Sequence, residues 1–224
     1  YSRDTTKLDA SVAMLVRAAK LTDSVALVWE TLGDVYTRQK RSQKALAAYK
    51  KLLALRPKHA AANKRIGAIL MKKKQYADAR GCLETALGAD TKDARTMFLL
   101  GEAYLQTGHP GKAADMLMRA KEAAPREVSV RLLLLKALKE SKRSKDAKDE
   151  ADDLAKLDRK IIARDKKNID SRTRLAKYYY KKDELKEAHD VYLQLAELTP
   201  DDAALWLRLQ EIATKLKDRK KALE

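Results

Sequence analysis

Cysteine, proline, glycine and aromatic residues are all scarce in this sequence. Its 224 residues include one Cys, four Pro and seven Gly, and only 5% of them are aromatic. A lone cysteine, Cys82, excludes an intrachain disulfide framework and a cysteine-based zinc site. No apolar run approaches the ~20 residues that a transmembrane helix needs. The shortage of large aromatic side chains argues against one compact core and favours many amphipathic helices, each with a narrow buried stripe.

Charged residues, in contrast, are abundant. The chain has 49 Lys and Arg against 32 Asp and Glu, which gives a formal net charge of +17. This excess predicts attraction to acidic surfaces and salt-sensitive association. An acidic protein, a nucleic acid and an anionic membrane are all compatible with it. Disorder is not expected, because 45% of the residues are apolar and they recur with a clear period.

A short pattern recurs every 34 residues. Glycines at 33, 67 and 101 each follow a large aliphatic residue, and each block continues with a small residue and a large one four places later. These later pairs are Ala45 with Tyr49, Ala79 with Leu83, and Ala113 with Leu117. In the first block Trp29, Leu32, Gly33 and Tyr36 fall on one face of a helix. Trp206 occupies the slot of Trp29 in the last block, and we expect both in the core.

This pattern resembles the tetratricopeptide repeat (TPR), whose sequence of Trp, Leu-Gly, Tyr, Ala, a large residue and Pro it follows closely. The resemblance implies an all-α fold, a right-handed superhelical solenoid of antiparallel helix pairs. One pair cannot bury its own apolar stripe, so neighbouring pairs must stack. We expect a single solenoid over residues 1–224, with full repeats at 26–59, 60–93, 94–127, 128–168 and 169–202. A partial unit at 1–25, with Leu15 and Ala18 inward, precedes them, and a truncated repeat at 203–224 follows.

The fourth block is seven residues longer than the others. Its apolar positions keep helical phase, which predicts a second helix lengthened by about two turns, roughly 10 Å. This extension is either a tolerated insertion or a projection that contacts a partner.

In this family the first helices of successive repeats line a concave groove. The resemblance therefore implies a peptide groove that presents long cationic and occasional apolar side chains. Its expected residues are Glu30, Asp34, Arg38, Lys64, Lys72, Arg95, Phe98, Glu102, Lys136, Lys139, Lys177, Tyr180 and Lys181. Such a surface suits an extended or helical acidic peptide.

Basic residues also recur at the turns inside the helix pairs. They are Arg38, Lys40 and Arg41, then Lys72, Lys73 and Lys74, then Lys142 and Arg143, then Lys181 and Lys182. Stacked repeats would align these turns along one edge. Cations at helix C-termini are favourable in themselves, so this edge either only caps helices or also holds an acidic partner.

No constellation for catalysis is present. The three histidines, His59, His109 and His189, lie in different repeats and lack metal-ligand spacing, so we expect no metal, no cofactor and no enzyme activity. We predict a scaffold or adaptor that binds acidic segments of partner proteins and assembles a multiprotein complex. Self-association through the open solenoid ends is also expected. The sequence does not determine a compartment, although a soluble protein on the cytoplasmic side is favoured.

The alternative is a basic helical-repeat protein that binds nucleic acid without sequence preference. Few aromatic residues are available to stack on bases, and basic residues are interleaved with acidic ones. Nucleic acid is therefore the less favoured partner.

Overall fold

The computed structural model of the chain describes residues 12–18, 21 and 25–222, and every regular element within those ranges is helical. The helices that can be bounded are α1 (Ala26–Arg38), α2 (Ser42–Leu55), α3 (Ala60–Lys72), α4 (Tyr76–Ala89), α5 (Ala94–Gln106), α6 (Pro110–Ala123), α7 (Val128–Glu140), α8 (Ser144–Arg164), α9 (Ile169–Lys181), α10 (Leu185–Leu198) and α11 (Ala203–Ala222). The predicted partial unit is described only at 12–18, 21 and 25, and residues 223–224 of the predicted last repeat lie outside the described part. No helix in the described ranges has the length and apolar character that crossing a bilayer requires.

Short polar side chains begin several of the first helices of the pairs. Asp93 accepts a hydrogen bond from the N–H of Arg95 at the start of α5, 3.2 Å away. Asn168 accepts one from the N–H of Ser171 at the start of α9, 3.0 Å away. These side chains satisfy backbone donors that have no partner inside the helix, so the repeat boundaries are defined locally.

Each helix pair within residues 26–198 is joined by a three-residue turn that includes one residue with a left-handed backbone. These residues are Lys40, Lys74, Gly108, Lys142 and Asp183, with φ between 58° and 76°. In at least four of these turns the N–H of the third turn residue donates to a carbonyl five residues earlier, as from Arg41 to Tyr36 at 2.9 Å. This bond is that of a Schellman cap, which terminates the helix and reverses the chain. The helices are therefore antiparallel neighbours in the pairs α1 with α2, α3 with α4, α5 with α6, and α9 with α10.

The chain divides into two compact units, residues 1–142 (unit 1) and 143–224 (unit 2). Within unit 1 each helix packs on the next along the chain, and α3 also contacts α5, as α5 contacts α7. The core of unit 1 contains Leu32, Tyr49, Leu52, Ile66, Leu83, Leu100, Leu117 and Leu134, each at most 2% exposed. The first helices of neighbouring repeats thus form one layer and the second helices pack behind it.

Glycine permits the close approach of the two helices in each of the first three pairs. A Cβ at Gly67 would lie 2.6 Å from Cγ of Leu83, and one at Gly101 would lie 2.5 Å from Cγ of Leu117. At Gly33 the same position is filled by the ring of Tyr49. The glycine and the large residue 16 places later are therefore complementary in size.

In unit 2, α9 packs against α8 and α10, and α10 packs against α11. The core consists of Ala176, Leu185, Ala188, Tyr192, Leu195, Ala196, Leu209 and Ile212. Helix α8 has 21 residues, whereas α10 has 14. A buried ion pair joins α8 to α9: Asp158 is 1% exposed and its carboxylate receives the guanidinium of Arg174 at 2.6 Å.

The expectation that both tryptophans are core residues is wrong for one of them. Trp206 on α11 is 47% exposed, and its indole N–H donates to the Pro200 carbonyl oxygen at 2.9 Å. In unit 1, Trp29 packs with Leu32 and Ala48. Trp29 is on α1, and its side chain packs against Ala48 of the helix that follows. Trp206 is on α11, the last helix in the described part of the chain.

Candidate functional site

The expected groove residues of unit 1 lie on its layer of first helices. Lys64 and Lys72 are on α3, Arg95, Phe98 and Glu102 are on α5, and Lys136 and Lys139 are on α7. Residues three, four or seven apart on a helix share a face, and α5 contacts both neighbours. We call this face, together with the equivalent positions of α1, the concave face of unit 1, after the groove that the family resemblance implies.

The two acidic residues that α1 contributes are engaged inside the chain. Glu30 lies 3.6 Å from Nε2 of His59. Asp34 accepts a hydrogen bond from the Tyr49 hydroxyl at 2.7 Å and lies 3.8 Å from Nε of Arg65. Burial raises the pKa of Tyr49 to about 12, so this phenol keeps its proton and remains a donor to Asp34. Both carboxylates therefore tie the first repeat to neighbouring elements, while Arg38 is exposed.

Lys64 forms an ion pair with the residue that directly precedes the next repeat. Its Nζ lies 2.5 Å from Oδ2 of Asp93, the residue that caps α5. Partial burial raises the pKa of Asp93, but hydrogen bonds from Lys64 and Thr96 outweigh it and leave that pKa below its usual range. Asp93 is thus ionised at neutral pH and joins α3 to α5.

Arg95 and Phe98 form the most defined feature of the concave face. The Arg95 guanidinium lies over the Phe98 ring, 5.6 Å from its centroid. Arg95 is exposed and Phe98 is half-buried, and the stacking holds a cation in place on an apolar surface. No acidic side chain of the described residues pairs with Arg95 or with the exposed Lys72.

Helix α7 adds the two expected cations. It also adds one exposed apolar residue that was not among the expected groove residues. Lys136 is exposed and lies 3.8 Å from Glu140, one turn away, and Lys139 is also exposed. Leu132 is 42% exposed and stands 34 residues after Phe98, in the same slot of the next repeat. The repeat spacing was the signal that could have found it.

The three expected residues of unit 2 are on α9 and have different surroundings. The Tyr180 hydroxyl donates to Glu211 and accepts from Nζ of Lys215 at 2.6 Å, so this side chain is engaged with α11. Lys177 and Lys181 are exposed, and within the described residues neither has an acidic partner. A site on α9 stays a prediction.

Groups that could support chemistry are dispersed. In the described ranges no three His, Cys, Asp or Glu side chains are grouped to hold a metal ion. Burial raises the pKa of the Cys82 thiol, which disfavours the reactive thiolate. His109 contacts the Thr107 hydroxyl at 3.2 Å, and His189 lies beside Asp190.

Antiparallel helix pairs, a 34-residue period and a glycine at the close contact of the first three pairs define the class of stacked helical-repeat proteins. Models of the tetratricopeptide repeat match residues 3–60, 36–95 and 70–134. The chain belongs to the TPR family, and the predicted family and all-α TPR fold are confirmed. TPR proteins are generally non-catalytic interaction modules, and the chain is a protein-interaction scaffold in this general sense.

Several solved structures share the fold. YrrB, described as a TPR protein with an unusual peptide-binding site, is 20% identical, with 88% of this chain and 97% of YrrB covered and a TM-score of 0.66. MamA from Desulfovibrio magneticus RS-1 is 27% identical, with 70% and 88% covered and a TM-score of 0.60. PilF from Pseudomonas aeruginosa is 20% identical, with 95% and 91% covered and a TM-score of 0.62. No curated protein matches the chain in sequence.

Proposed function

We propose that the concave face of unit 1 binds an acidic segment of a partner protein and thereby assembles a multiprotein complex. The observation that carries this proposal is the Arg95 guanidinium, held over Phe98 and without an acidic partner among the described residues. Lys72 on the preceding first helix and Lys136 on the following one add positive charge on either side.

The balance of charge on this face favours an acidic ligand. Asp34 already accepts a hydrogen bond from Tyr49 and lies beside Arg65, which reduces the repulsion that an incoming carboxylate would meet at α1. The 3.8 Å contact between Lys136 and Glu140 is exposed, and such pairs are worth little. Lys136 therefore remains available to an incoming carboxylate.

Charge alone does not hold a peptide tightly, because exposed ion pairs contribute only about 0.2–1 kcal/mol each. Apolar contact must supply the rest, and the concave face offers Phe98 and the exposed Leu132. A ligand that fits both features has an apolar side chain flanked by Asp or Glu. YrrB has the same fold and is described as having a peptide-binding site, which supports a peptide as the ligand.

A peptide-display selection on the full chain tests this proposal. The concave variant carries Lys72→Glu, Arg95→Glu and Lys136→Glu. The control variant carries Lys160→Glu, Lys166→Glu and Lys186→Glu, the same charge change at exposed residues outside the concave face. Wild type and control should enrich peptides with acidic residues around an apolar one, and the concave variant should not. Equal enrichment by the concave variant, at unchanged helical circular dichroism, would overturn the assignment.

Two further expectations stay proposals. Lys177 and Lys181 on α9 present a second pair of exposed cations for an acidic segment on unit 2. Self-association through solenoid ends is measured by analytical ultracentrifugation of the full chain over a range of concentrations.

A further inference from the structure

Most of the chain's excess charge comes from one segment. Residues 35–77 contain thirteen Lys and Arg and no Asp or Glu, whereas the whole chain has a net charge of +17. The thirteen are Arg38, Lys40, Arg41, Lys44, Lys50, Lys51, Arg56, Lys58, Lys64, Arg65, Lys72, Lys73 and Lys74. The interleaving of acids and bases that argued against nucleic acid therefore fails in these 43 residues.

Six of these cations form what we call the outer basic surface: Lys40, Lys50, Lys51, Arg56, Lys58 and Lys74. All six are exposed, and none has an ion-pair partner within the described part of the chain. None belongs to the concave face. Lys40 precedes α2, Lys50 and Lys51 lie on it, and Arg56 and Lys58 follow it, so the surface extends along a helix of about 20 Å.

The turn that carries Lys74 adjoins the start of α2. Nζ of the neighbouring Lys73 donates to Oε1 of Gln43, on the first turn of α2, at 3.4 Å. The turn with Lys74 thus lies beside the end of α2 that Lys40 precedes.

Two of the five lysines occupy backbone positions that do not favour lysine. Lys40 and Lys74 have φ of 58° and 60°, and the equivalent position in the third repeat is Gly108 with φ of 76°. Glycine adopts this conformation without steric penalty, whereas a residue with a Cβ does not. Lysine also stands at the equivalent turn of the fourth repeat and aspartate at that of the fifth, and a cation at a helix C-terminus is favourable in itself, so the turn conformation alone does not assign these two lysines a function.

The composition of the surface selects among acidic partners. Protein interfaces are rich in aromatic residues and depleted of lysine at their centre, but here Leu55 is the sole large apolar side chain of residues 35–77 that is strongly exposed. No exposed aromatic residue is available in this segment to stack on unpaired bases. Lysine-rich surfaces of this kind suit the phosphates of a duplex, which are read without base contacts.

We propose that the outer basic surface binds the phosphate backbone of duplex nucleic acid without sequence preference. Lys40 and Lys74 lie on neighbouring turns, and Lys50, Lys51, Arg56 and Lys58 lie on α2 or just after it, so several phosphates can be contacted at once. This surface is distinct from the concave face, so the scaffold can hold a partner protein and a duplex at once.

Fluorescence anisotropy with a labelled random-sequence 24-base-pair DNA tests the proposal on the full chain. The test variant carries K40Q, K50Q, K51Q and K74Q. The control carries K160Q, K166Q, K167Q and K186Q, four exposed lysines of unit 2, and has the same net charge. Wild type and control should bind alike. The test variant should bind at least about 100-fold more weakly near 100 mM salt, and its log affinity should fall less steeply with log salt, by about 3 to 4 in slope.

Equal losses in both variants would overturn the proposal, because binding would then follow net charge and not this surface. So would a test variant that binds DNA as wild type does. Vesicles with 30% phosphatidylserine and a Glu-rich peptide serve as competing anions. If the test variant loses affinity for either of these but not for the duplex, the surface binds a membrane or an acidic protein instead. The concave variant K72E, R95E and K136E should keep the steep salt dependence, which separates this test from that of the peptide site.

Discussion

Replacing Gly101 by Ala probes the packing on which the repeat depends. A Cβ there would lie 2.5, 2.9 and 3.1 Å from Cγ, Cδ2 and Cδ1 of Leu117. Leu117 is 0% exposed, and the shortest contact is to its branching carbon, so the side chain has no free direction in which to move. Overpacking of this kind costs about 1–3 kcal/mol, and Ala regains about 1 kcal/mol over Gly through helix propensity. We expect a net loss of up to about 2 kcal/mol.

Two further substitutions separate the cost of the steric clash with Leu117 from the gain in helix propensity. Gly81 lies inside α4, and a Cβ there meets nothing within 4 Å, so Gly81→Ala should stabilise by up to about 1 kcal/mol. Leu117→Ala alone should cost about 2–5 kcal/mol by opening a cavity. In that background the clash is gone, and Gly101→Ala should become stabilising by up to about 1 kcal/mol.

Urea unfolding followed by circular dichroism gives the change in the free energy of unfolding for the three single variants and the double variant. The midpoint of thermal unfolding provides a check. A loss of 2 kcal/mol lowers the midpoint by about 4–8 °C for a chain of this size. If Gly101→Ala stabilises the chain as Gly81→Ala does, α5 and α6 do not approach each other as closely as described. If it still destabilises beside Leu117→Ala, the clash is not with Leu117.

Three other changes test separate contacts. Lys74→Gly should stabilise by about 0.5–1 kcal/mol, because Gly adopts the left-handed turn without penalty; a lower thermal midpoint would contradict this. Asp158→Ala should destabilise unit 2 by about 3–5 kcal/mol, since it leaves the Arg174 guanidinium without its buried partner, and a urea midpoint equal to wild type would refute that pairing. Asp93→Asn should destabilise at pH 7, because the depressed folded-state pKa of Asp93 contributes stability above its unfolded pKa of about 3.9. That difference should disappear as the pH falls from 4 towards the folded pKa, and a pH-independent difference would mean that the Lys64 contact is not electrostatic.

The helices and their contacts follow from local pattern, and this is why they could be read from the sequence. The first helices of the described repeats begin at residues 26, 60, 94, 128, 169 and 203, where the sequence blocks begin. Small residues such as Gly67 meet large ones such as Leu83 because the period of the helix and the turn length are fixed. Trp206 departs from the pattern because its burial depends on a neighbouring helix that packs over it, and not on its position within the repeat.

The surface could be predicted only in part. A helix face shows where Lys64 and Asp34 point, but not that Asp93 and Tyr49 bind them. Such pairs join residues of different helices, and their formation depends on side-chain reach across the packed structure. The acid-free run at 35–77 was visible in the sequence, but totals for the whole chain concealed it.

Photocrosslinking tests the central claim most directly. Photoreactive p-benzoylphenylalanine is placed at Phe98 on the concave face or, as an aromatic control, at Tyr76 at the start of α4. A peptide recovered from the display selection, with acidic residues around an apolar one, should crosslink at position 98 and not at position 76. Crosslinking at position 76 alone, or equally at both, would contradict an acidic-segment site on the concave face of unit 1.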